Sequence, residues 1–274
     1  MDGSQGLQDT IGVQDIDLDE FAYVMGIRGW FRFENVMRQP FLDTLRQDLQ
    51  SLYDKRRAKQ IENGVADGME GTAHHLVGDN TAIDRLIATH PLGAYLDRYF
   101  DGGKYILNSV GAVLNTKDSD KYVGAVHRDV RSYTSPHRMM INVMVLLDDF
   151  TPENGATYIL PGSQWLQEKP SDEVFFNYAE QVRGKAGDMI VFDSHMWHAA
   201  GANTTDQVRR LITIGFARPY IKAQIDFPRF LSDEFASNLS EVEKQLYGYH
   251  ARVAESLDEY YQPAENRTYR SDQR

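Results

Sequence analysis

The run from Met139 to Leu147 is apolar at every position except Asn142. A short run of that composition is a strand buried on both faces, so the rest of the chain must cover two sides of the sheet that contains it. The neighbouring sequence is of the same kind. Tyr105 to Leu114, Tyr122 to Val130, Ala156 to Leu160, Met189 to Phe192 and Arg209 to Phe216 read as strands, with turn signals such as Asn154-Gly155 and Pro161-Gly162-Ser163 between them. The first third is helical. Asp17 to Met25 forms a short helix. Phe41, Leu42, Leu45, Leu49, Leu52 and Tyr53 recur at helical spacing after Pro40. Ala82 to Ala88 and Leu92 to Phe100 are two more, split by Pro91, and the chain is helical again from about Glu234 to Tyr247. The expected class is α+β, mostly β: a double-sheet jelly roll flanked by N-terminal and C-terminal helices. No linker or repeat divides it, so residues 1–274 read as one domain, with 1–16 and 262–274 as mobile tails.

Composition removes several functions. There is no cysteine, hence no thiolate metal site and no thiol nucleophile, and any metal must be held by histidine and carboxylate. A formal charge of -11 opposes a general nucleic-acid surface. No apolar run is long enough to span a bilayer, and Met1 to Asp19 lacks the basic and apolar regions of a secretory signal. A cytoplasmic protein acting on a small molecule fits these limits, with no nucleic-acid or membrane partner. Lys55-Arg56-Arg57 reads as a solvated helix end, and His74-His75 as part of a Gly-rich loop over 62–78. Asn142, alone in its apolar run, needs a hydrogen-bond partner, and the backbone is the simplest one.

His127-Arg128-Asp129 lies in one of the expected strands. Residues i and i+2 of a strand project from one face, so His127 and Asp129 would offer an imidazole nitrogen and a carboxylate oxygen to one point. Those are two of the three ligands of a 2-His-1-carboxylate facial triad, which suits Fe(II) and leaves coordination positions open. Two histidines compete for the third place, His195 and His198.

The order of motifs resembles the phytanoyl-CoA dioxygenase family of Fe(II)/2-oxoglutarate oxygenases. It runs His127-x-Asp129, Leu147-Asp148-Asp149 leading to Glu153-Asn154-Gly155-Ala156, Pro161-Gly162-Ser163, Gly187-Asp188 leading to Phe192-Asp193, Trp197-His198 followed by Asn203, and Arg209-Arg210. The resemblance extends from about Val24 to Pro219 and implies a double-stranded, cupin-like β-helix. It implies His198 as the distal ligand, making His127, Asp129 and His198 both the metal set and the catalytic centre. Arg209 is then the anchor for 2-oxoglutarate, and Asn108 a weaker co-substrate contact. Arg210 would point to the opposite face of its strand. The implied cofactors are Fe(II), 2-oxoglutarate and O2, and the implied reaction oxidises a C–H of a small molecule with release of succinate and CO2. Gln164 departs from the pattern, since relatives commonly carry His there. His127-Arg128-Asp129 and Ala217-Arg218-Pro219-Tyr220 look most like fungal natural-product oxygenases. Arg131, Tyr133, His137 and the His74-His75 loop are candidate substrate contacts. Two other functions use similar residues: a non-oxidative metal-dependent isomerase on a related barrel, which has no use for Arg209, and a non-catalytic binding module.

Overall fold

The computed structural model describes residues 10–117 and 124–273. Helix α1 (Leu18–Arg28) is capped by Asp17, whose carboxylate accepts from the backbone N–H of Asp19 and Glu20. It leads into strand β1 (Trp30–Phe33). Helix α2 (Gln39–Glu62) carries Pro40 in its first turn and buries Phe41, Leu42, Leu45, Leu49 and Leu52. After the short strand β2 (Thr72–His74) come α3 (Ala82–Thr89) and α4 (Gly93–Tyr99). The strands follow: β3 (Ile106–Asn115), β4 (Met140–Leu146) and β5 (Tyr158–Ile159). Then α5 (Asp172–Tyr178) precedes β6 (Glu180–Gln181), β7 (Met189–Asp193), β8 (His198–Ala199) and β9 (Arg209–Ala217). Four short helices close the chain: α6 (Phe227–Phe230), α7 (Asp233–Ser237), α8 (Glu241–Leu246) and α9 (Leu257–Tyr260).

Two antiparallel sheets face each other. The large one has the order β1-β7-β4-β9-β3-β2, the small one β6-β5-β8. The apolar run of 139–147 is the middle of the large sheet, between β7 and β9. Alternation along it divides the molecule. Ile141, Val143 and Val145 join Ile212, Ile214 and Phe216 of β9 in a core shared with the N-terminal helices, through Phe21, Leu45 and Leu49. Met144 and Leu146 face the other way, with Leu211, Ile190 and Phe192, and pack against Ile159 beneath the small sheet. This is the jelly roll with flanking helices. Among the described residues no helix is long and apolar enough to cross a membrane.

Several details differ from the sequence reading. Residues 118–123, part of the expected turn at 116–121 and of the strand from 122, lie outside the described residues, as do 1–9 of the N-terminal tail. Residues 10–16 lie against the domain: Ile11 is buried and bridges Met37, and Gly12 N–H donates to the Val36 carbonyl at 2.8 Å. At the other end Ala251 bridges Tyr269 and the buried Gln273 bonds Gln245 at 2.8 Å, because the C-terminal segment has backbone and amide partners to pair with. The helix expected over 234–247 is interrupted at Asn238-Leu239. Ser240 starts a new one with a capping box to Glu243. In Lys55-Arg56-Arg57 only Lys55 is a solvated side chain, and the two arginines are engaged. Arg56 donates to the carbonyls of His74 (3.3 Å) and His75 (2.8 Å), and Arg57 to that of Ala66 at 2.7 Å. These bonds staple the 62–78 loop, whose Thr72–His74 forms the edge strand β2.

His90 ends α3 in a left-handed conformation, its Nε2 2.8 Å from the Tyr105 hydroxyl. Burial pulls its pKa down to about 4. The unfolded chain therefore binds a proton near pH 6.5 that the folded chain refuses until about pH 4, and stability falls as pH drops through that window. We predict that His90→Asn, which tolerates the same backbone conformation, flattens this slope by on the order of 2 kcal/mol across the window. Denaturant melts of both proteins between pH 4 and 7 measure it. Parallel slopes would exclude His90 as the cause.

Candidate active site

Between the two sheets lies a cavity of about 500 Å³. Its wall comes from the inner face of the large sheet, including Asn142, Met144, Arg209 and Thr213, and from His127 and His198 on the side of the small sheet. Of the stretch expected as a strand through Val130, the described residues 124–130 are strand-like only at His127. Its N–H donates to the His198 carbonyl (3.0 Å) and its carbonyl accepts from His198 N–H (2.9 Å), a single antiparallel bridge at the edge of β8. The N–H groups of Asp129 and Val130 then both donate to the Ser194 carbonyl at 3.1 Å, which bends the chain out of the ladder. The i, i+2 relation survives this bend. His127 and Asp129 both line the cavity, while the intervening Arg128 is buried over the Trp197 ring at 4.9 Å.

His127, Asp129 and His198 offer ligand atoms that all lie within 4.8 Å of one another. Among the described residues no other group of three or more such side chains was found. His127 Nδ1 sits 2.7 Å from the Ala125 carbonyl and His198 Nδ1 3.0 Å from that of Met196. A carbonyl only accepts, so both Nδ1 atoms carry the proton and both Nε2 lone pairs are free. Those Nε2 atoms stand 3.7 Å and 3.8 Å from the Asp129 carboxylate oxygens. Burial, with His198 next in effect, holds the His127 pKa below the usual range and keeps the ring neutral. Two neutral imidazoles and one carboxylate with open space beside them can hold a divalent cation and leave positions for other ligands.

Arg209 projects into the same cavity and is 1 % exposed. Among the described residues none of its three guanidinium nitrogens has a hydrogen-bond partner, and the group stacks over the Phe150 ring at 4.4 Å. Desolvation lowers its pKa to about 10, opposed by Asp148, so it remains a cation at neutral pH. Arg210 points to the other face of β9 and grips Asp148 with two bonds, Nε–Oδ2 at 2.8 Å and Nη2–Oδ1 at 2.9 Å. Asn108 lines the cavity too, and its amide donates to the Lys222 carbonyl at 3.2 Å.

The other candidates separate. His195 is buried outside the cavity wall, its Nδ1 3.0 Å from Asp193 and its Nε2 2.7 Å from the Thr134 hydroxyl. His74 lines the cavity, whereas His75 turns away onto Phe227 and Phe230, where desolvation first, then His74 and Arg56, pull its pKa down to about 4. Arg131 is at the wall, and Tyr133 and His137 are not. Gln164 is buried under the α1 C-terminus, its amide near the carbonyls of Met25 and Gly26 at 3.4 Å and 3.3 Å, so the departure from His lies away from the cavity. Sequence reasoning missed Asn142. Its partners are side chains, Asp129 Oδ2 at 2.6 Å and Ser194 Oγ at 3.0 Å, rather than the backbone. The signal was available, since Met140 and Met144 at i±2 share its face.

The family model for phytanoyl-CoA dioxygenase matches residues 28–211. An uncharacterized protein of Mycobacterium tuberculosis is 40 % identical over 154 residues, 56 % of each chain. Dioxygenase FUM3 of Gibberella moniliformis is 30 % identical over 139 residues, covering 48 % of this chain and 45 % of that one. The chain thus spans about half the length of the curated relatives it matches. Among solved structures, EctD from S. alaskensis, with 2-oxoglutarate and 5-hydroxyectoine, superposes with a TM-score of 0.60 at 17 % identity, over 74 % of this chain and 76 % of that one. That likeness is one of fold.

The two histidines now make a separable prediction. His198→Ala and Asp129→Ala should lose a divalent metal after reconstitution, because each removes one of three ligands. His195→Ala should keep the metal but lower stability by roughly 1–3 kcal/mol, since buried Asp193 and Thr134 lose a partner. Metal content and thermal melts on the three variants decide it. Metal lost only in His195→Ala would reverse the assignment.

Proposed function

The chain belongs to the phytanoyl-CoA dioxygenase family, and from that premise we propose that it is an Fe(II)/2-oxoglutarate-dependent dioxygenase acting on a C–H bond of a small molecule. His127, Asp129 and His198 would hold the iron. Iron held there would supply, with 2-oxoglutarate and O2, the oxidation of the C–H bond, one oxygen atom ending in the product hydroxyl and the other in succinate, with release of CO2. The residues of the chain bind, orient and exclude water.

The observation that carries this reading is Arg209. A guanidinium buried without an acceptor among the described residues is a costly arrangement, and it is met here by an open cavity that is also lined by His127, Asp129 and His198. The missing partner should be an anion. The distal carboxylate of 2-oxoglutarate fits, because the planar fork of arginine binds a carboxylate bidentately and stays charged when desolvated. Phe150 under the guanidinium keeps water from one face, and Asn108 can offer a carbonyl or amide along the same wall. A non-oxidative isomerase using the same three ligands leaves Arg209 without a purpose. The volume of about 500 Å³ is in the range of small-molecule sites, which supports a small substrate beside the co-substrate.

Arg209→Ala should raise the 2-oxoglutarate concentration needed for half-maximal succinate formation on the order of a hundredfold or more, the loss of a desolvated bidentate pair. Arg209→Lys should recover only part, as an ammonium cannot form the fork. Arg210→Ala should leave the dependence unchanged and lower stability, since Asp148 loses its bidentate partner. Succinate release measured against 2-oxoglutarate tests all three. A wild-type protein that consumes no 2-oxoglutarate would end the dioxygenase reading.

A further inference from the structure

Asn142 is a polar side chain in the middle of an otherwise apolar central strand, and it is buried. An amide in such a place costs stability unless its donors are used. Both hydrogen bonds of its Nδ2 go to the neighbourhood of Asp129. One reaches Asp129 Oδ2 at 2.6 Å and the other Ser194 Oγ at 3.0 Å. Ser194 is itself fully buried, and its carbonyl receives the N–H groups of Asp129 and Val130. Ser194 therefore fixes the main chain of Asp129 while Asn142 fixes its carboxylate.

Space for this side chain is arranged from across the sheet. The partner of Asn142 on β9 is Gly215. A Cβ there would lie 3.1 Å from Asn142 Oδ1, 2.9 Å from Ser109 Oγ and 2.7 Å from Met140 Cε. Gly215 has an ordinary negative φ, so its backbone conformation does not call for glycine. What calls for it is room on the cavity face.

Resting on the metal reading above, we infer that Asn142 is a positioning residue that locks the rotamer of Asp129. Oδ2 is committed to the amide. Oδ1 receives no hydrogen bond among the described residues and lies 3.7 Å from His127 Nε2. The carboxylate then offers a cation one oxygen rather than two, which keeps positions free for co-substrate and O2. A neutral donor does this without cancelling the negative charge that the cation needs, as a lysine or arginine in the same place would.

The test uses Co(II) on the full chain, so that neither turnover nor a known substrate is required. Wild type, His127→Ala, Asn142→Leu and Gly215→Ala are compared for Co(II) affinity by chelator competition, for the visible Co(II) absorption bands, and for melting without metal. Asn142→Leu keeps the approximate volume and removes the donor. It should bind Co(II) roughly 10–100-fold more weakly with altered bands, while its metal-free melt shows it folded. Wild-type affinity and bands in a folded Asn142→Leu would overturn the inference. If that variant does not fold, Gly215→Ala carries the test. Its added methyl pushes on Asn142 from across the sheet and should weaken Co(II) in the same direction, and unchanged binding there overturns the proposal. Wild type that takes up no Co(II), or His127→Ala that binds it equally well, is a different failure: it removes the metal reading, and this inference with it.

Discussion

The pairing of β4 with β9 is the constraint on which the rest depends. Both strands sit in the middle of the large sheet, and both alternate strictly. Their outward residues bind the N-terminal helices through an apolar core. Their inward residues build the cavity: Asn142 and Met144 from one strand, Arg209, Leu211 and Thr213 from the other. A slip of one residue in either strand would send the polar set into the helix core and the apolar set into the cavity. Each polar group on the inner face is thus held in register by the hydrophobic burial of its neighbours on the outer face.

That coupling explains how the fold tolerates an unpaired guanidinium. Arg209 costs stability as it stands, yet its backbone pairs with Asn115 of β3, and its strand is bound to β4 from Leu211 onward. Its sequence neighbour Arg210 is tied to Asp148, which also meets Arg46 of α2 at 3.6 Å. The large sheet provides the rigidity, and on the function proposed above the cost maintains a cation for an anionic co-substrate. Functional sites are where such local conflicts are kept.

The side of the cavity that holds His127, Asp129 and His198 is built on a different plan. Among the described residues His127 has one bridge to β8 and no continuous ladder. Its geometry depends on carbonyls: Ala125 and Met196 set the tautomers of the two histidines, and Ser194 turns the chain at Asp129. The nearby turn at Gly155 is equally specific. With φ at 79°, a Cβ there would fall 2.3 Å from the Gly201 carbonyl, so that the loop bearing the Glu-Asn-Gly sequence can approach the chain after β8 only with glycine at this position.

The sequence by itself determined which face of each long strand is polar, because a period of two in apolar residues leaves no freedom once one face is buried. The jelly roll with its flanking helices was legible for that reason, as was the opposite orientation of Arg209 and Arg210. The grouping of His127 with Asp129 was legible too, although for an incomplete reason, since the described residues 124–130 form one bridge and a bend rather than a strand. Periodicity carries no information on pairs distant in the chain. That His127 meets His198, that Asn142 meets Asp129 and Ser194, and that Arg56 closes the loop carrying β2 are contacts between segments far apart in sequence. Only tertiary packing decides them, because each is a short-range bond whose existence depends on where the two sheets and the helix layer come to rest.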